Sequence, residues 1–216
     1  MPFRILLTGF TPFGGMPLNP SEEIVRHISE NTDALPGVSL SIDVLPTVFQ
    51  AAGEKIRENI SRFLPHSVLM LGVVPGSDHF RLERFAINID DSDMPDLAGD
   101  IPDGRPIELT GPAAYETNLP LRLLARTLGS REIPVRFSSH AGTYVCNHVL
   151  YAALHVIKEE QLDTQCGLIH IPLMSEQVTD AGSKLPALPL ATMVEAVKAC
   201  IEALRNDSLA RRQGLA

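Results

Sequence analysis

Residues 67–76 read Ser-Val-Leu-Met-Leu-Gly-Val-Val-Pro-Gly. A short apolar run stopped by Pro75-Gly76 is the pattern of a buried strand. Working outward toward the N-terminus, Thr47-x-x-Gln50 has the form of a capping box and predicts a helix to about Phe63. Residues 38–45 alternate apolar and polar and predict a strand. Asn19-Pro20-Ser21-Glu22-Glu23 starts a helix running to about Glu30, with proline early and carboxylates in the first turn. Phe3–Leu7 is a strand ended by Thr8-Gly9.

Toward the C-terminus, residues 80–89 are extended and 90–112 form a long loop rich in Asp, Pro and Gly, a length that often marks function. Leu119–Leu128 is helical, Ile133–Ser138 a strand, Cys146 to about Glu160 a helix, Gly167–Ile171 a strand and Leu190–Arg205 a helix. The last ten residues read as a frayed tail. No internal repeat or low-complexity linker interrupts this order. Strands alternating with helices predict an α/β three-layer sandwich, a mainly parallel or mixed twisted sheet between helices. The expected organisation is one domain over residues 1–216.

Composition agrees with a soluble folded chain. Of 216 residues, 44% are hydrophobic and 20% charged, which excludes dominant disorder. No apolar run approaches the roughly 18 residues of a transmembrane helix. The N-terminal apolar run is too short for a signal-peptide core. A net charge of −8 argues against nucleic-acid binding. Three cysteines, Cys146, Cys166 and Cys200, predict free thiols in a reducing cytoplasm.

In open α/β sheets, ligands bind beyond the carboxyl ends of the strands. One such position holds His140-Ala-Gly142-Thr-Tyr144-Val145-Cys146-Asn147-His148, a turn entering a helix. A cysteine there faces unpaired N–H groups and the positive end of the helix dipole, which favour thiolate and can receive an oxyanion. The alternative for Cys146 is a small buried core residue, the commonest fate of a free cysteine. Cys166 begins a strand, Cys200 lies within a helix, and both read as structural.

A thiol nucleophile needs a base, and His170, at the end of Gly167–Ile171, is the best placed of seven histidines. His140 is the runner-up. His148 points about 200° away from Cys146 on a helix, and the two alone are too small a set for a metal. Glu83 stands in the apolar strand Phe80–Ile87; from spacing alone a solvated carboxylate is the better reading. The post-strand segment Thr8-Gly-Phe10-Thr-Pro-Phe13-Gly-Gly matches no phosphate-loop pattern, and its two phenylalanines suit a small, flat, uncharged group.

Four strings, in order, carry a resemblance: T-G-F-T-P-F-G-G with N-P-S at 19–21, E-R-F-A-I-N at 83–88, G-T-Y-V-C-N-H at 142–148 and I-H-I-P at 169–172. Over about residues 3–200 the chain resembles the pyroglutamyl peptidase I family of cysteine peptidases. The resemblance implies a phosphorylase/hydrolase-like α/β sandwich, cytoplasmic location, no metal or cofactor, and a homo-oligomer, usually a tetramer, otherwise a dimer. It implies removal of an N-terminal pyroglutamyl residue from peptides. By match, Cys146 is the nucleophile, His170 the base and Glu83 the acceptor that orients it. Phe10 and Phe13 hold the lactam ring, Asn19 hydrogen-bonds it, and Val73, Tyr144 and Val145 complete the substrate side.

Two positions depart from the family pattern. Val73 stands where a lactam-binding glutamine is common, and Asp93 where an arginine is common. Losing a buried hydrogen bond costs about 1–3 kcal/mol. An aspartate near Cys146 would raise the thiol pKa. Arg81, two residues before Glu83 on one strand face, is the expected partner that offsets Asp93. Two other readings follow: the same triad acting on another small N-acyl or lactam amide, or a non-catalytic binding protein on this fold. Retention of Cys146, His170 and Glu83 argues against the last.

Overall fold

The most apolar strands lie at the centre of the sheet. In the computed structural model, which describes residues 2–30, 35–180 and 184–212, every residue of β3 (Ser67–Val73) is buried. β3 is flanked by β1 (Phe3–Phe10) and β7 (Gln165–Ile171), both parallel to it. β2 (Val38–Leu45) extends the sheet beyond β1, again parallel. On the other side β4 (Phe80–Ile87) runs antiparallel to β7. The far edge of β4 carries β6 (Val135–His140) in parallel, and β5 (Ala114–Glu116) pairs antiparallel with its last residues. The predicted mixed α/β sandwich is therefore observed.

Side-chain alternation on these strands builds two cores. Ile5, Leu7, Leu69 and Leu71 face α1 (Pro20–Glu30), α3 (Leu121–Gly129) and α6 (Leu190–Arg212). Leu6, Val68 and Met70 face α2 (Phe49–Phe63) and α4 (Val145–Glu159). Cys200 is buried in the first core and Cys166 in the second, as expected for structural thiols. Short pieces absent from the sequence reading complete the chain: β8 (Leu173–Met174), α5 (Ser175–Asp180) and β9 (Ala187–Leu188).

Three expectations need correction. The capping box at Thr47 does not form: the N-cap of α2 is Val48, with no side-chain cap bond of its own. Thr47 Oγ1 instead donates to the Thr11 carbonyl, and the Phe49 N–H is capped by Asp96 Oδ2 at 3.0 Å, from 47 residues away. The predicted tail is largely helix, because α6 continues to Arg212; residues 213–216 lie outside the described residues. The first strand also runs three residues further than predicted, so Phe10 is a buried strand end rather than an exposed loop residue.

The antiparallel turn of β4 decides where chemistry can gather. The carboxyl ends of β1, β3 and β7 and the beginnings of β4 and β6 share one rim of the sheet. In register, Gly72 of β3 pairs His170 of β7, His170 pairs Arg81 of β4, and Arg81 pairs Arg136 of β6. The N-terminus of α4 arrives at the same rim.

Candidate active site

The loop after β1 is fixed by its own sequence. Gly9 touches the start of α1 so closely that an added Cβ would lie 2.5 Å from the Ser21 carbonyl oxygen. Ser21 Oγ accepts the Phe10 N–H, and Asn19 Oδ1 accepts both the Ser21 N–H and its hydroxyl. Asn19 Nδ2 donates to the Thr11 carbonyl. Asn19 is thus mainly a loop brace, with its carbonyl already occupied and one amide N–H left over.

At the start of α4, Cys146 and His170 are brought together over a glycine. A Cβ built on Gly72 would lie 2.9 Å from Cys146 Sγ and 3.0 Å from His170 Nε2. The thiol and imidazole therefore both border the space that Gly72 leaves empty. On its other side His170 Nδ1 is 2.7 Å from Glu83 Oε1. Glu83 is fully buried, not solvated as spacing alone suggested, and its Oε2 has no hydrogen-bond partner among the described residues. The Glu83 contact makes Nδ1 the donor and leaves Nε2 as acceptor toward the sulfur.

Burial pushes the Cys146 thiol up to about 12, with the charge of Glu83 second; its own backbone N–H pulls the other way. Burial and the Glu83 charge thus oppose the thiolate that the helix terminus favours.

Asp93 is exposed and takes no part in this shift. Nor is Asp93 the partner of Arg81. Arg81 Nε lies 3.5 Å from Glu83 Oε1, and its guanidinium donates to Ser138 Oγ at 2.9 Å.

Two other histidines flank the same turn. His140 is exposed, and its Nδ1 accepts the Gly142 N–H. His148 points away from Cys146, as its helical offset required, and its Nδ1 lies 2.9 Å from Asp90 Oδ2. That contact ties the 90–112 segment to α4. Tyr144 OH to the Pro95 carbonyl and Thr143 Oγ1 to the Asp91 carbonyl tie the same segment to the turn before Cys146.

Beside the thiol is a narrow slot of about 10 Å³ lined by Phe10, Phe13, Asn19, Thr47, Val73, Tyr144, Val145 and Cys146. All six residues expected on the substrate side converge there, together with Thr47, which the sequence reading missed. The Phe13 and Tyr144 rings stand 5.9 Å apart across it. Much larger surface cavities lie elsewhere; one of about 750 Å³ between β4, β6 and α3 touches none of Cys146, His170 and Glu83.

The profile of the family described as pyroglutamyl peptidase matches residues 3–207. The chain belongs to the pyroglutamyl peptidase family. This is a family of cysteine peptidases, consistent with the thiol–imidazole–carboxylate line at the rim. The pyrrolidone-carboxylate peptidase of Bacillus licheniformis is 38% identical over 213 residues, spanning 98% of this chain and 97% of that protein. The one from Levilactobacillus brevis is 39% identical over 201 residues, 93% of this chain and 97% of the relative. Among solved structures, pyrrolidone carboxyl peptidase from Thermococcus litoralis superposes with a TM-score of 0.89 at 31% identity, covering 97% of this chain and 96% of that one. Pyroglutamyl peptidase I from Bacillus amyloliquefaciens gives 0.89 at 35%, covering 95% and 96%.

Among the pyroglutamyl peptidase features missed by sequence reasoning, Gly72 had a signal. An isolated glycine inside an apolar strand marks close approach of other atoms. Among the described residues, no helix is long and apolar enough to cross a membrane.

Proposed function

We propose that this chain removes N-terminal pyroglutamyl residues from peptides by thiol acyl transfer. The observation that carries the reading is the convergence of Cys146 Sγ and His170 Nε2 over Gly72, with Glu83 behind His170. Because the resting sulfur is a thiol, Nε2 takes its proton as sulfur attacks the carbonyl carbon of the scissile amide. The first-turn N–H groups of α4, unpaired within the helix, receive the developing oxyanion. His170 then returns the proton to the departing amine nitrogen, leaving a thioester on Cys146. Water, deprotonated by the same Nε2, hydrolyses the thioester and regenerates the thiol.

Phe10, Phe13, Val73, Tyr144 and Val145 form the walls for a flat lactam, and Asn19 has one amide N–H to offer it. Val73 supplies a wall but no hydrogen bond, so its effect falls on KM. The slot must widen to admit a ring.

The reading also takes the chain as a cytoplasmic enzyme acting as one domain without cofactor, in a homo-oligomer. Its acidity, its three free thiols and exposed Leu97, Ile101 and Leu109 support this. Sedimentation of the purified protein tests the assembly.

Hydrolysis of a fluorogenic pyroglutamyl amide under reductant, with Cys146→Ala as the blank, tests the reaction. Activity confined to the wild type is expected. A wild type indistinguishable from the blank removes the proposal.

A further inference from the structure

Beyond His170 the rim continues into a second cavity, of about 460 Å³, whose walls include Val74, Gly76, Arg81, Arg136 and Ser138. Arg81 and Arg136 are register partners on adjacent strands and line the same space. Like charges opposite one another on a sheet face repel, so this arrangement is poised for an anion between or above them. Glu83 lies 3.5 Å from Arg81 and offsets its charge from below, and Asp78 feels the charge of Arg136; neither carboxylate lines the cavity, so the space between the two arginines is left to another anion.

The chemistry fixes what can lie there. The acyl slot is on the β1 side of Cys146, lined by Phe10 and Val73. His170 stands on the other side and must reach the leaving nitrogen to protonate it. The chain after the scissile bond therefore departs over β7 toward β4 and β6. Strands are spaced by about 4.8 Å, so Arg81 is about 5 Å and Arg136 about 10 Å beyond the His170 backbone. An extended peptide advances about 3.3 Å per residue. A carboxylate one or two residues past the scissile bond thus falls within reach of these two side chains.

We propose that the Arg81–Arg136 cavity is a leaving-side subsite for carboxylate, and that the enzyme favours pyroglutamyl peptides carrying an anion within two residues of the scissile bond. The anion is the C-terminus of a di- or tripeptide, or an acidic side chain. This rests on the pyroglutamyl reading above and goes beyond it in naming the leaving-side chemistry.

The test compares kcat/KM for four substrates: pyroglutamyl-alanine and its amide, and the amides of pyroglutamyl-glutamate and pyroglutamyl-glutamine. The first pair reads the chain terminus and the second the side chain. The wild type is expected to favour the anionic member of at least one pair by roughly fivefold, mainly through KM, as two partly exposed ion pairs allow. The ratio should decay toward one on raising ionic strength from about 0.02 to about 1 M. It should also move toward one in Arg136→Gln, and in Arg81→Gln as the second variant.

Hydrolysis of all four with equal efficiency overturns the subsite and leaves the reaction reading intact. A preference insensitive to salt and to both substitutions also overturns it. Hydrolysis of none overturns the reaction reading, and the subsite with it.

Discussion

Gly72 has no functional group, yet it sets the geometry of the site. A methyl there would come within 3.0 Å of both Cys146 Sγ and His170 Nε2. Gly72→Ala is expected to fold with at most a modest loss of Tm but to lose at least about 100-fold in kcat, because displacing the reacting pair by about 1 Å costs that much. Thermal unfolding and kcat measured on one preparation check both halves. The Cys146 thiol yields a second prediction. With its pKa raised to about 12, the thiolate fraction at pH 8 is about 1000-fold below that of an ordinary thiol. In His170→Ala, alkylation of Cys146 by iodoacetamide should be slow at neutrality and rise about tenfold per pH unit to beyond pH 10. The wild type should react faster at neutral pH, because Nε2 takes the proton; equal rates would argue against general-base activation. Position along the chain brought Cys146 and His170 forward as candidates, since each lies at a strand end or helix start on the rim. Position along the chain misled at Glu83, whose partner His170 stands on β7, 87 residues away. Arg81 was paired with the wrong carboxylate for the same reason.

At the scale of elements, the order of strands and helices was legible because apolar periodicity and turn residues are local. What was not legible is a contact between distant segments. α2 is capped by Asp96, whose Oδ1 also accepts the N–H groups of Ala98 and Asp100. No local capping motif announces that arrangement, and the Thr47-x-x-Gln50 pattern pointed elsewhere. The 90–112 segment, read from length and composition as a functional loop, braces both α2 and the Tyr144 wall of the acyl slot. Asp96→Ala should therefore cost about 1 kcal/mol through the lost cap. It should also raise KM for a pyroglutamyl amide more than it lowers kcat, because the slot loosens while Cys146 and His170 keep their strand and helix positions. A stability loss with unchanged KM would separate the cap from the slot and show that the brace does not reach Tyr144.

Across the whole molecule, each core buries a thiol, and the site holds a third that is half-buried. Burial pushes Cys200 up to about 12 and Cys166 higher still, and Cys146 is raised with the help of Glu83. The tyrosines follow, with Tyr151 up to about 12 and Tyr115 and Tyr144 raised, each chiefly by burial. An acid whose pKa is raised by folding keeps its proton in the native state after the unfolded chain has lost it. Above about pH 9 the unfolded state therefore binds fewer protons, and stability falls as pH rises. Each buried thiol contributes a slope of roughly 1 kcal/mol per pH unit from about pH 9 toward its folded value. Cys166 and Cys200 together should leave the protein stable through neutrality and labile in alkali, where the negative net charge also grows. Urea midpoints should change little between pH 7 and 8 and fall progressively from pH 9 to 11. Cys200→Ala should start lower, because its side chain fills part of the α6 core, yet decline less steeply with pH. Parallel curves for the two proteins would mean that Cys200 gives up its proton equally in both states, and that alkaline lability has another source.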